Sequence, residues 1–337
     1  MFLSPLTPAE LADAVRATPR VLAIGAGTKP RLSRTDATPI STRALSGIVE
    51  YEPSEFTFTA LAGTPVREIA AALAKSGQYL PFDPLLVDAG STLGGTVASG
   101  LSGPGRFRYG GLRDFILGVQ FVDGEGRLLR MGGKVVKNAA GFDLPKFFVG
   151  SLGRYGVLAE ITFKVFPRAA AFRTVRIPTD DVAATMMSMS STRWELDALD
   201  AADGVVFARV GGPAAALDAL TTEMLSRFPS GAVLAEDAAF WTSVREFSWA
   251  HPDGVLVKIA LTPKRLPALC AAIGDARIHV SAGGNVAYVS QPAFSPCFSG
   301  FDALTLRGDA PLFPGIAPVV VSGVKTALDP QNRFPSL

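Results

Sequence analysis

The residues best suited to chemistry in this chain are glycines with hydroxyls and one lysine between them. Gly25-Ala26-Gly27-Thr28-Lys29 follows directly on the apolar run Val21–Ile24. Consecutive backbone N–H groups in such a turn can converge on an oxyanion, with Thr28 adding a hydroxyl and Lys29 a positive charge. A denser block is Ser91-Thr92-Leu93-Gly94-Gly95-Thr96-Val97-Ala98-Ser99-Gly100. Paired residues without Cβ atoms let a flat ring or a diphosphate reach the main chain, and Ser91, Thr92, Thr96 and Ser99 offer neutral donors. Tyr109-Gly110-Gly111 comes next, then Lys137-Asn138-Ala139-Ala140-Gly141-Phe142-Asp143-Leu144 and Gly150-Ser151-Leu152-Gly153-Arg154-Tyr155-Gly156-Val157. Of the 34 glycines, 19 lie between Gly63 and Gly156, so a ligand held by main chain belongs to the first half.

The first loop is not a dinucleotide fingerprint. Pro30 occupies the third glycine position of G-x-G-x-x-G, and Thr28–Ile40 has two prolines and no apolar helical face. The helix whose N-terminus would hold a pyrophosphate is therefore missing, and Glu50 loses its meaning as a ribose-binding acid. An anion nest without a helix and an ordinary strand-to-loop turn both remain open for this segment. The Gly94-Gly95 block, read in isolation, equally fits a tight turn where helix and sheet touch.

Acid–base chemistry has few residues to draw on. His251 and His279 are the only histidines. His251 precedes Pro252-Asp253-Gly254, which reads as a solvated turn. His279 sits in the strand-like run Arg277–Ser281, where it could line a pocket or be a half-buried strand residue. His279 and Arg277 are the candidate catalytic residues, as a base and a carboxylate-binding cation. Arg209, Lys258 and Arg307 lie in or beside other strands and could hold a carboxylate or form surface ion pairs. Cys270 and Cys297 are too few for a disulfide framework or for the four thiolates of an iron–sulfur cluster.

These residues need elements to position them. Thr7-Pro8-Ala9-Glu10 predicts a capped helix to about Thr18. Strands are expected at Val21–Ile24, Gly47–Tyr51, Thr57–Leu61 and Val157–Phe166, and a helix after Thr64-Pro65 ending near Gly77. Phe115–Val122 and Arg127–Met131 flank Asp123-Gly124-Glu125-Gly126 as a hairpin. Loops are expected from Gly90 to Gly111. After Pro167 strands and helices alternate: strands at Phe172–Ile177, Val205–Val210, Val255–Leu261, Ile278–Ser281 and Val286–Ser290, helices at Asp181–Ser190, Ala214–Phe228, Ala238–Phe247 and Lys264–Ile273. This predicts an α+β module with an antiparallel sheet. A last helix is expected near Ile316–Leu328.

Composition sets limits. The 337 residues suffice for two domains, and 32 basic against 30 acidic side chains give a net charge of +2, which argues against nucleic acid as a partner. Pro5, Pro8 and Glu10 interrupt what a signal peptide would need to be apolar, and no transmembrane segment is expected. A cytoplasmic protein is the expectation.

The ordered glycine blocks resemble the FAD-binding domain of the vanillyl-alcohol oxidase and para-cresol methylhydroxylase (PCMH) superfamily, and within it the accessory FAD subunits of bacterial glycolate oxidases. The likeness is specific over about residues 20–167 and weak through the middle. It implies an α+β fold: a PCMH-type FAD-binding domain of two α+β subdomains at 1–167, an antiparallel-sheet cap at 168–308, and a segment 309–337 returning to the FAD domain. By this resemblance Gly25, Ala26, Gly27, Thr28 and Lys29 form the pyrophosphate loop. Ser91, Thr92, Leu93, Gly94, Gly95, Thr96, Ser99 and Gly100 flank the flavin and its ribityl chain. Gly110, Lys137, Asn138, Gly141 and Asp143 are further binding residues, and the main chain of Gly156 and Val157 lies near the adenine. Asp329-Pro330 and Phe334 match the family's tail, but its Gly-Arg is replaced by the ending Phe334-Pro335-Ser336-Leu337. Gly283-Gly284-Asn285 is the nearest approach to the related catalytic subunits' metal motif and lacks its acid and histidine, so no metal is expected. The FAD half contains no His and no Cys, which predicts non-covalent FAD. The implied function is an FAD subunit of a glycolate oxidase complex, partnered by a catalytic FAD subunit and an iron–sulfur subunit. A self-sufficient FAD-dependent 2-hydroxy acid dehydrogenase and a flavin-free scaffold are the alternatives.

Overall fold

The structure, a computed structural model, describes residues 3–133, 143–316, 318 and 322–336. It divides into two compact units: Met1–Leu101 with Gly111–Pro167 and Val319–Leu337, and Ser102–Gly110 with Arg168–Pro318.

In chain order the first unit contains α1 (Pro8–Ala17), β1 (Val21–Ile24), β2 (Thr38–Ser41), β3 (Ile48–Glu52), β4 (Thr57–Leu61), α2 (Val66–Ala74), β5 (Gln78–Tyr79) and α3 (Leu93–Ser99). The short helix α4 (Arg106–Tyr109) belongs to the second unit. The first unit resumes with β6 (Ile116–Val122), β7 (Leu128–Gly132), α5 (Leu144–Phe147), β8 (Val157–Lys164) and β9 (Phe166–Pro167). An antiparallel sheet runs β3-β4-β8-β6-β7, while β1 and β2 pair in parallel beside it. Sequence chemistry explains the local choices. Thr7 Oγ1 accepts from the Glu10 amide at 3.2 Å and starts α1. In the β6–β7 turn Asp123 Oδ1 accepts from the amides of Glu125 and Arg127 at 3.0 and 2.9 Å, and Gly126 takes φ +74°. Phe58, Phe82 and Phe163 form a buried aromatic cluster with centroid separations of 6.0 and 6.1 Å from Phe163.

The second unit continues with β10 (Ala171–Pro178), α6 (Val182–Ser190), β11 (Leu196–Ala202), β12 (Val205–Gly212), α7 (Ala214–Arg227), β13 (Ala232–Val233), α8 (Asp237–Glu246), β14 (Val255–Ala260), α9 (Leu266–Ile273), β15 (Arg277–Ser281), β16 (Val286–Gln291) and β17 (Asp302–Arg307). Its sheet has the order β13-β10-β12-β11-β15-β16-β14-β17, antiparallel throughout. Val257, Ile259, Val280, Ala287 and Val289 belong to its apolar core. Helix α10 (Ser322–Leu328) returns to the first unit.

Two expectations fail for physical reasons. The segment from Gly90 to Gly111 is not all loop, because Thr92 caps α3, accepting from the Gly95 amide at 3.2 Å, and Gly100 ends it at φ +63°. Strand β11 was not expected, since Asp and Ala are poor strand formers. Both of its acids are buried and bonded: Asp197 accepts from Tyr109 Oη at 2.8 Å, and Asp200 Oδ1 from Ser281 Oγ at 2.9 Å and the Ala282 amide at 3.1 Å.

Phe163→Ala removes a fully buried ring from the aromatic cluster and should cost about 3–5 kcal/mol, measured by urea unfolding of the first-unit transition.

Candidate functional site

Three of the glycine blocks of the first half meet around one cleft in the first unit. Gly25, Ala26, Gly27, Thr28 and Lys29 line it, with Thr92, Gly94, Gly95 and Ser99 from α3 and its cap, and Gly156 at the start of β8. Residues that sequence reasoning did not assign to the site also line it: Ala23, Leu32, Ser33, Thr42, Ala62, Ala98, Ser151, Leu152, Gly153 and Leu158. Ser151, Leu152 and Gly153 sat inside a glycine block and could have been named from it. Thr42 and Ala62 carry no local signal, because only the fold brings them to the cleft.

The two glycine loops differ in what they offer an anion. At the start of α3 the amides are already spent: Leu93 donates to the Thr64 carbonyl at 2.9 Å, Gly94 to the Ala62 carbonyl at 2.7 Å, and Gly95 to Thr92 Oγ1. In the loop after β1, the amides of Ala26, Gly27 and Thr28 donate to no acceptor among the described residues. Gly27 adopts φ +71°, and a Cβ there would meet nothing within 4 Å, so its role is conformational. Such a turn points successive N–H groups to one side and forms an anion nest without a helix.

Lys29 supplies the charge. Its side chain is buried, with Nζ donating to Thr28 Oγ1 at 3.1 Å and to Ser91 Oγ at 3.4 Å. Burial pulls its pKa from 10.5 down to about 8. Ser91 itself lies behind the loop, bonded to Thr28 Oγ1 at 3.1 Å. Ser151 Oγ is buried without a partner among the described residues, and Ser151 lines the same cleft. Free amides, a desolvated ammonium group and an orphaned hydroxyl fit a cofactor carrying a diphosphate.

Gly94 and Gly95 have separate tasks. A Cβ on Gly94 would lie 2.8 Å from Ala62 Cβ, so this residue lets α3 pack on the end of β4. A Cβ on Gly95 would meet only Thr92 Oγ1, at 3.0 Å, and would otherwise occupy open space.

Other expected residues lie elsewhere. Leu93 and Val157 are core side chains, and Thr96 is buried with Oγ1 unpartnered among the described residues. Gly100 packs on Gly150, whose Cα would lie 2.9 Å from an added Cβ. Gly110 ends α4 in the second unit. Asp143 caps α5 and pairs with Lys146 at 2.7 Å. Lys137, Asn138 and Gly141 lie outside the described residues. His279 is 3 % exposed and bonds through Nε2 to Asp200 Oδ2 at 2.8 Å. Arg277 is exposed and donates to the Trp249 carbonyl at 2.9 Å.

Residues 1–132 match the family described as FAD binding domain. The chain carries an FAD-binding domain. The glycolate oxidase subunit GlcE of Escherichia coli K12 is 47% identical over 137 residues, covering 41% of this chain and 39% of that protein. The glycolate oxidase subunit GlcD of Bacillus subtilis 168 is 30% identical over 146 residues, 43% of this chain and 31% of that protein. A D-2-hydroxyglutarate dehydrogenase of Xanthomonas citri pv. viticola is 26% identical over 163 residues, 48% of this chain and 34% of that protein. The chain thus spans well under half the length of these relatives. Alkyldihydroxyacetonephosphate synthase superposes over 98% of this chain and 76% of its own, with a TM-score of 0.70 at 15% identity, so the two share the PCMH-type fold.

Gly95→Val should lower FAD affinity at least tenfold while leaving the melting temperature of the FAD-free protein within a few degrees, read by flavin fluorescence titration and calorimetry. Gly94→Val should lower that melting temperature as well, because its clash is with the protein itself.

Lys29 predicts a pH dependence. A bound diphosphate raises the lysine's pKa above the value of about 8 in the FAD-free protein, so binding takes up a proton at higher pH. FAD affinity should be flat below about pH 8 and fall above it by up to tenfold per pH unit. Lys29→Met should bind more weakly at pH 7 and show no such fall.

Proposed function

We propose that this chain is a non-covalent FAD subunit of a glycolate oxidase complex. It supports the oxidation of glycolate to glyoxylate and passes electrons toward an iron–sulfur partner. The observation that carries the reading is the 47% identity to the glycolate oxidase subunit GlcE, together with a free amide nest beside Lys29. In this reading the loop from Gly25 to Lys29 holds the diphosphate. Thr92, Gly95 and Ser99 line the flavin and ribityl side, and Gly156 and Val157 present main chain to the adenine. FAD, when bound, supplies two-electron acceptance from a 2-hydroxy acid and stepwise release of those electrons.

The absence of His and Cys before residue 168 supports a cofactor held without a covalent bond through either residue. His279, tied to Asp200 and buried, lends little to a self-sufficient dehydrogenase. Among the described residues no group of three or more His, Cys, Asp or Glu side chains is placed to hold a metal. Electrons leaving the flavin need an acceptor, and the proposed partners are a catalytic FAD subunit and an iron–sulfur subunit. Among the described residues no helix is long and apolar enough to cross a membrane. Cytoplasmic placement belongs to this proposal.

Acid precipitation of the purified yellow protein should leave the flavin in the supernatant, and colour in the pellet would refute non-covalent binding. A tagged chain should co-purify from its native source with a second flavoprotein and an iron–sulfur protein. The isolated chain should not bleach its flavin rapidly with glycolate. A lone monomer with full acceptor-linked activity would overturn the subunit reading.

A further inference from the structure

One short stretch of chain near the C-terminus holds two walls of the glycine-lined cleft without lining it. The first wall is the run from Ser151 to Gly156, which lies in no helix or strand. Its backbone is left-handed at Leu152 (φ +52°) and Gly153 (φ +70°), and a leucine kept in that region needs surroundings that over-determine it. On one side the amides of Gly150 and Leu152 donate to the carbonyls of Val97 and Ala98 in α3, at 3.0 and 2.9 Å. On the other side Lys325 Nζ of α10 donates to the Arg154 carbonyl at 2.8 Å. The second wall is the loop after β1. That strand starts at Val21, whose amide donates to the Arg333 carbonyl at 2.8 Å, while Arg333 Nη1 donates to the Thr18 carbonyl at 2.6 Å. The two walls touch where Gly153 packs on Leu22, since a Cβ on Gly153 would lie 3.2 Å from Leu22 Cδ1.

The C-terminal residues that make these contacts are locked to one another. Lys325 has three N–H groups and three acceptors: the carbonyls of Arg154 and Phe334, both at 2.8 Å, and Asp329 Oδ2 at 2.6 Å. Asp329 has a fully buried side chain and accepts from the amides of Arg333 and Phe334 at 2.8 and 2.9 Å. The Gly124 amide donates to the Leu328 carbonyl at 2.7 Å, and a Cβ on Gly124 would overlap Asp329, so this clasp seats on the β6–β7 turn. Neither Lys325 nor Asp329 lines the cleft.

We infer that Lys325 and Asp329 are positioning residues for FAD. Their clasp sets the separation of the loop after β1 from the Ser151–Gly156 wall, so clasp closure and cofactor binding reinforce each other. A buried ion pair adds little net stability over apolar side chains of the same shape, and what this one supplies is position. The inference rests on the reading of the cleft as the FAD site and adds a control of cofactor retention by residues outside its lining. Such coupling is reciprocal: the factor by which the clasp raises FAD affinity is the factor by which FAD favours the closed clasp.

The test uses the full chain, stripped of FAD and reloaded. Affinity is read by flavin fluorescence, melting by calorimetry and local opening by hydrogen exchange with mass spectrometry. Lys325→Met should weaken FAD binding at least tenfold and Asp329→Asn at least fivefold, both measured well below the melting temperatures. Phe163→Leu loosens the aromatic cluster of the same unit, so it should lower the melting temperature yet keep FAD affinity within twofold. In the parent, saturating FAD should slow exchange in peptides spanning 325–336 at least fivefold more than in α2, which lines no part of the cleft. In Lys325→Met that difference should vanish. An affinity in Lys325→Met within twofold of the parent, or an equal loss in Phe163→Leu, would overturn the inference. So would equal slowing of α2 and the clasp in the parent, which decides the matter if neither clasp variant folds. A parent that takes up no FAD would sink the cofactor reading and this inference together, whereas the other failures sink this inference alone.

Discussion

Helix α3 lies closer to the end of β4 than any residue with a side chain would permit at position 94. Gly94 donates to the Ala62 carbonyl at 2.7 Å, and its missing Cβ is the space that Ala62 occupies. Much of the first unit's cleft follows from that contact. It fixes one wall, Gly95 and Ser99, against the sheet. It also consumes the amides that a helix N-terminus would otherwise present to a phosphate. The loop after β1 keeps its amides unspent, with Gly27 turning the chain and Lys29 bonded, among the described residues, to hydroxyls alone.

How much of this was legible in the sequence depended on whether the signal was local. Thr7 with Glu10 declared α1, and Asp123-Gly124-Glu125-Gly126 declared the hairpin, because each motif satisfies its own backbone within four residues. The loop from Gly25 to Lys29 was legible because its glycines, hydroxyl and lysine are contiguous, although its amides meet no acceptor among the described residues. Helix α3 was misread because two glycines lower helix propensity, and only packing on Ala62 makes them necessary. Strand β11 was invisible because its acids are stabilised by Tyr109, His279 and Ser281, residues distant in the chain. Ala62 and Thr42 reached the cleft in the same long-range way.

The two units treat buried charge differently. In β11 the buried acids accept from distant donors, Asp197 Oδ1 from Tyr109 and Asp200 from His279, Ser281 and the Ala282 amide, so they specify how strands β11 and β15 and helix α4 sit together within that unit. Lys29 is buried with no acid bonded to it among the described residues. A charge left unsatisfied by those residues is a constraint on what must arrive from outside.

The C-terminal segment has a quieter consequence. Lys325 Nζ donates to the carbonyls of Arg154 and Phe334, both at 2.8 Å, and to Asp329 Oδ2 at 2.6 Å, while Asp329 also caps the amides of Arg333 and Phe334. Arg154 directly follows Gly153, a lining residue of the cleft. Phe334 is fully buried with Leu11, Val15 and Val157. A wall of the glycine-lined cleft is thus clasped by residues synthesised some 170 positions later. During translation the cleft stays unfinished until that clasp has emerged. A protease cutting just beyond Leu328 would loosen the cleft without touching a residue that lines it.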